Sequence, residues 1–151
     1  MSRRHFILTW CCWALAAAGC SDYEESDTDK ATKSKIVGYW YWTWTSLKYG
    51  EFHILTHRQS DGVYIRRTTV FPEGADVETS EESGKWGVNF GRYVEKQLTE
   101  DGKAIGNGQR DQRYIIKSLS DQTFEIVGER VRGPEQIERR VTDKFNLPQH
   151  R

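Results

Sequence analysis

The stretch GYWYWTWT, residues 38–45, places Trp40, Trp42 and Trp44 at every second position, with Tyr39, Tyr41, Thr43 and Thr45 between them. A period of two is strand geometry: alternate side chains leave on opposite faces, so the three indoles share one face. Aromatic and β-branched residues, which fill the stretch, suit a pleated, half-buried surface. The indole face has three uses open to it: filling a core, lining a cavity, or standing outward as a platform for a sugar ring or a partner protein. Tyr39 and Tyr41 fall on the opposite face, where tyrosines commonly serve as cross-strand partners.

The same grammar continues to about residue 145. Short apolar or alternating runs are separated by turn chemistry at Tyr49-Gly50, Asp61-Gly62, Pro72-Glu73-Gly74, Ser83-Gly84, Asn89-Phe90-Gly91, Asp101-Gly102 through Gly108, Ser120-Asp121 and Gly133-Pro134. Most breaks lie about ten to twelve residues apart, the rhythm of a meander or barrel. The runs predict strands over 36–47, 51–58, 62–71, 84–89, 91–99, 111–119, 122–129 and 136–145. No 3.6-residue apolar period persists for ten residues. Proline is confined to the breaks and the tail, as continuous strands require. The fold class is therefore all-β. Eight consecutive antiparallel strands lose both edges by closing into an eight-stranded up-and-down barrel, whose interior is either filled or holds one small ligand. The acidic stretch 74–83 (GADVETSEES) and residues 101–110 (DGKAIGNGQR) read as loops at the rim.

The N-terminus follows other rules. In MSRRHFILTWCCWALAAAGC, Arg3 and Arg4 precede an apolar run from Phe6 to Ala18 that is too short to span a bilayer and leads through small residues to Cys20. LAAAGC resembles a bacterial lipobox. The resemblance implies cleavage before Cys20, a diacylglycerol on its sulfur and further acylation, with palmitate among the chains. Cysteine arithmetic agrees: the chain has cysteines at 11, 12 and 20, and cleavage leaves one, which lipidation protects from being a reactive thiol. More than one acyl chain gives firm anchoring. SRRHFI also resembles the twin-arginine export motif, with Ile7 in place of leucine, so that route and the Sec route both stay open. Ser21 after the cysteine, by the same resemblance, favours the outer membrane, facing the periplasm, over the inner membrane of the cell envelope.

Residues 1–19 thus read as a signal peptide, 20–35 as the lipidated cysteine and a disordered tether, 36–145 as the barrel and 146–151 as a tail. Residues 21–35 (SDYEESDTDKATKSK) contain one aromatic and no aliphatic larger than alanine, too little to offset the entropy of ordering them, and reach at most about 50 Å when extended. The whole sequence has 22 basic and 22 acidic residues. Removing Arg3 and Arg4 leaves 20 against 22, a net −2 for the mature chain. With no basic stripe or block, nucleic acid is not an expected partner.

IVGYW, at 36–40, looks like the glycine–any–tryptophan signature of lipocalin-like proteins. SGKWGVNFGRYVEK resembles the central hairpin of small bacterial lipocalin-like domains, YIIKSLSDQTFEIV their next hairpin, and IERRV their closing basic strand. The resemblance spans about residues 36–145. It implies a barrel in which Trp40 packs at the closed base beneath a basic residue of the last strand. In QIERRV, Ile137 and Val141 share a face with Arg139, and taking the apolar pair as inward makes Arg139, not Arg140, the partner of Trp40 in barrel closure. Trp42 and Trp44 then lie toward the open end.

If each strand turns its bulkier face inward, Phe52, Ile54, Val63, Ile65, Trp86, Val88, Tyr93, Tyr114, Ile116, Phe124 and Ile126 also face the interior. Arg67 joins the Val63–Ile65 face, where it is a candidate to hold an anionic head group such as a fatty-acid carboxylate, or else a rim arginine in solvent. Candidate ligand-binding residues are therefore Trp42, Trp44, Arg67, Trp86, Tyr93 and Tyr114. His53 and His57 lie about 13 Å apart along one strand, too far for one metal ion. No metal site, cofactor or catalytic residue is expected: no nucleophile stands with a base and orienting acid, and GNGQ at 106–109 lacks the lysine and helix of a phosphate loop. The expected function is that of an envelope lipoprotein binding or shielding a small, largely apolar ligand. The rival is a protein-interaction module, an inhibitor or assembly accessory, with a filled barrel.

Overall fold

The computed structural model describes residues 25–106, 111–130 and 135–149. The signal peptide, Cys20 and the start of the expected tether lie outside them. A helix, α1 (Asp27–Ile36), precedes strands β1 (Gly38–Ser46), β2 (Gly50–Arg58), β3 (Val63–Phe71), β4 (Glu78–Asn89), β5 (Arg92–Glu100), the two-residue β6 (Lys103–Ala104), β7 (Gln112–Leu119), β8 (Thr123–Gly128) and β9 (Gln136–Val141). Every pairing is antiparallel. Chain neighbours pair in turn, β4 joins β5, and β9 returns to β1, while β6 is only a short flap on β5. The result is the eight-stranded up-and-down barrel that the turn rhythm predicts. Closure gives every wall strand two neighbours.

One end of the barrel is closed. There α1 is held on the β4–β5 turn, beside the β2–β3 and β7–β8 turns of the same end, and Ile36, Trp40, Tyr64, Trp86, Val88, Tyr93, Phe124 and Ile126 form one buried cluster. The opposite end, the mouth, carries the β1–β2 and β3–β4 turns and the ends of β5 and β8. Trp40 is completely buried, and its indole N–H donates to the Ile36 carbonyl oxygen at 2.7 Å. Trp40 is therefore a core residue at the base, as expected.

Residues 27–35 are not a tether. Ser26 caps α1 by accepting from the Asp29 N–H at 3.1 Å; Asp27 and Asp29 occupy the first turn, Lys33 and Lys35 the last. These charges oppose the helix dipole at both ends. The carboxylate of Asp29, itself buried, accepts from the N–H groups of Phe90 and Gly91 at 3.2 and 3.0 Å, docking the helix on the β4–β5 turn. Only Ile36 supplies a large buried apolar group, so α1 has no stripe for a periodicity argument to detect. Capping and docking stabilise it instead.

The acidic stretch at 74–83 also differs from expectation, because Glu78–Ser83 belong to β4. Glu81 stands opposite Arg67 and Glu82 opposite Arg66 on β3, and opposite charges across a ladder stabilise the pairing that composition alone argues against. The β4–β5 register shifts between Ser83 and Gly84. A side chain at Gly84 would place its Cβ 2.1 Å from the Lys96 carbonyl oxygen, so the backbones approach this closely only because residue 84 is glycine.

Register fixes which face is inward. Trp40 pairs with Thr56 and Thr56 with Arg66; Arg58, fully buried, pairs with Tyr64. The inward face of β3 is therefore Tyr64, Arg66, Thr68 and Val70. Val63, Ile65 and Arg67 face outward, against the expectation from side-chain bulk. The last strand reverses in the same way. Glu138 is fully buried, Ile137 is 55% exposed, and Arg139 lies in solvent. Phe52, Ile54, Trp86, Val88, Tyr93, Tyr114, Ile116, Phe124 and Ile126 sit at the inward register positions assigned to them.

Candidate functional site

The lumen just above the base is charged. Arg58, on β2, forms a two-pronged ion pair with Glu138 of β9, Nη1 to Oε2 at 2.5 Å and Nη2 to Oε1 at 2.9 Å. Its Nε donates to the Tyr93 hydroxyl at 2.6 Å, and Tyr93 in turn donates to Glu95. Arg66 enters from β3, donating to Glu95 at 2.6 Å, to Glu82 at 2.7 Å and to the Thr56 hydroxyl at 3.2 Å. Gln136 donates its amide to Glu138 at 2.6 Å. The guanidinium of Arg58 lies over the rings of Tyr93 and Phe124, at 4.8 and 5.3 Å. A buried charge is tolerated when it is paired and its remaining donors are satisfied, and this network does both.

The titration behaviour follows the geometry. Burial pushes the Glu95 carboxyl up, but Arg66 and Arg58 outweigh it and hold the group below the usual carboxylate range. At Glu82 burial wins over Arg66, and Glu95 adds to it, so that carboxyl is raised. Burial, then the Glu95 charge, pushes the Tyr114 phenol up to about 12. These lumen groups comprise two guanidiniums, of Arg58 and Arg66, against the three carboxylates of Glu82, Glu95 and Glu138. Both guanidiniums are occupied by carboxylates.

Toward the mouth the polarity falls. Trp42 pairs with Ile54, and Trp44 with Phe52, whose ring lies 4.9 Å away. Trp44 is 36% exposed at the rim. The Trp42 indole N–H is buried and has no acceptor among the described residues. The three indoles of the opening stretch thus divide: Trp40 is core, Trp42 lines the middle of the lumen, and Trp44 stands at its entrance.

The other candidates fall out as follows. Trp86 belongs to the base cluster and donates its N–H to the carbonyl oxygens of Gln59 and Val63, at 3.1 and 3.0 Å. Tyr93 is tied into the charge network, and Tyr114 packs on it with ring centroids 5.7 Å apart. Arg67 is on the outer wall, its side chain 65% exposed and paired with Glu81 at 2.8 Å, so it takes no part in the lumen. Arg140, not Arg139, covers Trp40. Its guanidinium lies 4.3 Å from the ring, with donors satisfied by the carbonyl oxygens of Val37, Lys35 and Asp121. The inference from Ile137 and Val141 fails because the inward face of β9 is built to meet charge: Glu138 answers Arg58, and Arg140 covers the indole.

Sequence reasoning missed Arg58, Arg66, Glu82, Glu95 and Glu138. A charged residue inside a strand ordinarily marks the solvent face, and pairing across 80 positions between Arg58 and Glu138 leaves no local trace. On the outer wall, Tyr39 stacks on His57 at 4.0 Å and the Tyr41 hydroxyl meets His53 Nδ1 at 2.6 Å, so the outward tyrosines do act as cross-strand partners. Phe145, beyond the end of β9, packs on Tyr41, 4.7 Å between centroids.

A closed, eight-stranded, antiparallel up-and-down barrel with a helix across its base is an architecture consistent with a lipocalin-like fold. No protein-family model matches the chain, and a search of curated proteins finds no match.

Proposed function

We propose that this protein is an envelope lipoprotein, anchored through Cys20, whose barrel binds or shields a small, largely apolar molecule in the mouth half of its lumen. The observation that carries the reading is the buried indole N–H of Trp42, which has no acceptor among the described residues, on a wall where Ile54 stands opposite Trp42 and Phe52 opposite Trp44. A buried donor left without an acceptor costs about 1–3 kcal/mol, which a ligand oxygen placed there would recover. The apolar positions around it suit the rest of such a ligand. A carboxylate head group is a poor fit, since Arg67 is outside the lumen and Arg58 and Arg66 are already paired. The class is therefore a neutral or cationic amphiphile, not a fatty-acid anion.

Native mass spectrometry of the protein from its own host tests this by showing what travels with it. The molecule found should quench Trp42 and Trp44, and Trp42→Phe should weaken its binding about fivefold, the equivalent of one hydrogen bond. A protein that carries nothing and shows no quenching with neutral, cationic or anionic amphiphiles would refute the reading. A second reading has its own observation. Leu47, Tyr49 and Val77 stand exposed around the mouth, which suits a protein partner docking on the rim.

A further inference from the structure

Two faces of the barrel compete for the bilayer. The mouth carries the exposed apolar side chains Leu47, Tyr49 and Val77, and the base carries exposed Phe90 at the tip of the β4–β5 turn. Surface apolarity alone favours the mouth. The path of the chain favours the base. Glu25 and Lys33 line a groove with Trp86, Val88 and Asn89 at the base end of β4, and Asp29 is fastened to Phe90 and Gly91 one turn further on. The chain therefore leaves the domain at its closed end.

Length then decides. Five residue steps separate Cys20 from Glu25, at most about 18 Å of extended chain. From Asn89 to Glu78, β4 climbs eleven residues from base to mouth, about 36 Å along the strand. At a barrel tilt of about 40° this is about 28 Å along the axis. A leash of about 18 Å that starts at the base does not reach the level of the mouth. A tether running to residue 35 would have allowed either orientation, and the folding of α1 removes that freedom.

We propose that the barrel stands base-down on the bilayer that holds its anchor, with α1 and Phe90 facing the lipid head groups and the mouth directed away from the membrane. The inference rests on anchoring at Cys20. It gives the exposed rim residues a different role: they face the aqueous compartment, from which a ligand or partner would arrive.

The test uses full-length protein processed in a bacterial host and reconstituted into vesicles with an acceptor fluorophore on the lipid head groups. Once Cys20 is acylated, a single added cysteine is the only free thiol. Donor dye is placed at the base through Phe90→Cys or Ser60→Cys, and at the mouth through Leu47→Cys or Glu73→Cys. Energy transfer should be severalfold higher from both base positions than from both mouth positions. Equal transfer, or more from the mouth, in protein that floats with the vesicles would overturn the orientation alone. Protein that does not float, with an unacylated Cys20 by mass, would overturn the anchoring reading and the orientation with it.

Discussion

Removing either partner of the Arg58–Glu138 pair should be the most damaging single change in the lumen. Both side chains have no exposure to solvent, and two charge-assisted hydrogen bonds join β2 to β9 across 80 residues of sequence. Glu138→Leu would leave Arg58 facing an apolar group, with the Tyr93 hydroxyl at Nε and Glu95 at 3.6 Å from Nη2 as its remaining polar neighbours. Arg58→Leu would leave the Glu138 carboxylate with only the Gln136 amide among these contacts. Breaking a buried pair by removing one partner costs about 3–5 kcal/mol, whereas replacing both by apolar groups is often neutral. A domain of this size is stable by about 5–15 kcal/mol, so each single change takes a third or more of the total in the weaker half of that range. The double variant should recover most of the loss, though not all, since Gln136 and Tyr93 each lose a partner. The assay is urea unfolding followed by tryptophan fluorescence, with Trp40 in the base core as a reporter. With a slope near 1.5 kcal/mol per molar, a single change should lower the midpoint by about 2 M or more, and the coupling energy from the cycle should be about 3 kcal/mol or greater. Single variants costing under about 1 kcal/mol, or costs that simply add in the double, would show that the pair does not hold the barrel closed.

Two further outcomes follow from the same geometry. Arg140→Ala should cost about 1–3 kcal/mol, because it uncovers the Trp40 indole and frees the carbonyl oxygens of Val37 and Lys35, whereas solvent-facing Arg139→Ala should stay within about 0.5 kcal/mol; equal denaturation midpoints would refute the assignment of Arg140 as the closing residue. Two of the lumen carboxyls, Glu95 and Glu82, should act on acid stability with opposite signs. Glu95 is held low in the folded state, so as the pH falls below the ordinary value of 4.5 the unfolded chain takes up its proton first, and stability is lost through the depressed folded value. Glu82 is raised, so the folded state takes up its proton first and gains stability as the pH falls through that raised value toward 4.5. Glu95→Gln should thus flatten the acid side of a pH–stability profile and Glu82→Gln steepen it, and identical profiles for the two variants would contradict the network.

Strand positions were largely readable from residue order alone because turn chemistry and period-two alternation are local properties: the Asp61-Gly62 and Asn89-Phe90-Gly91 breaks fall at real turns, and the wall strands fall close to their expected places apart from the acidic first half of β4 and the earlier end of β9 at Val141. Closure was implied as well, since eight such strands have no other simple way to lose their edges. What residue order could not supply is which face of a strand looks inward when both faces carry large side chains. On β3 the choice lay between Val63-Ile65-Arg67 and Tyr64-Arg66-Thr68, and on β9 between Ile137-Arg139 and Glu138-Arg140. Apolar bulk favours the first of each pair. The tertiary structure chose the second, because Arg58 and Arg66 on neighbouring strands need Glu95, Glu82 and Glu138 at hydrogen-bonding distance in the barrel interior. α1 is not legible in the sequence for a related reason. Its stability comes from a cap at Ser26 and from Asp29 meeting a turn about 60 residues away, and such a contact exists only once the barrel has formed.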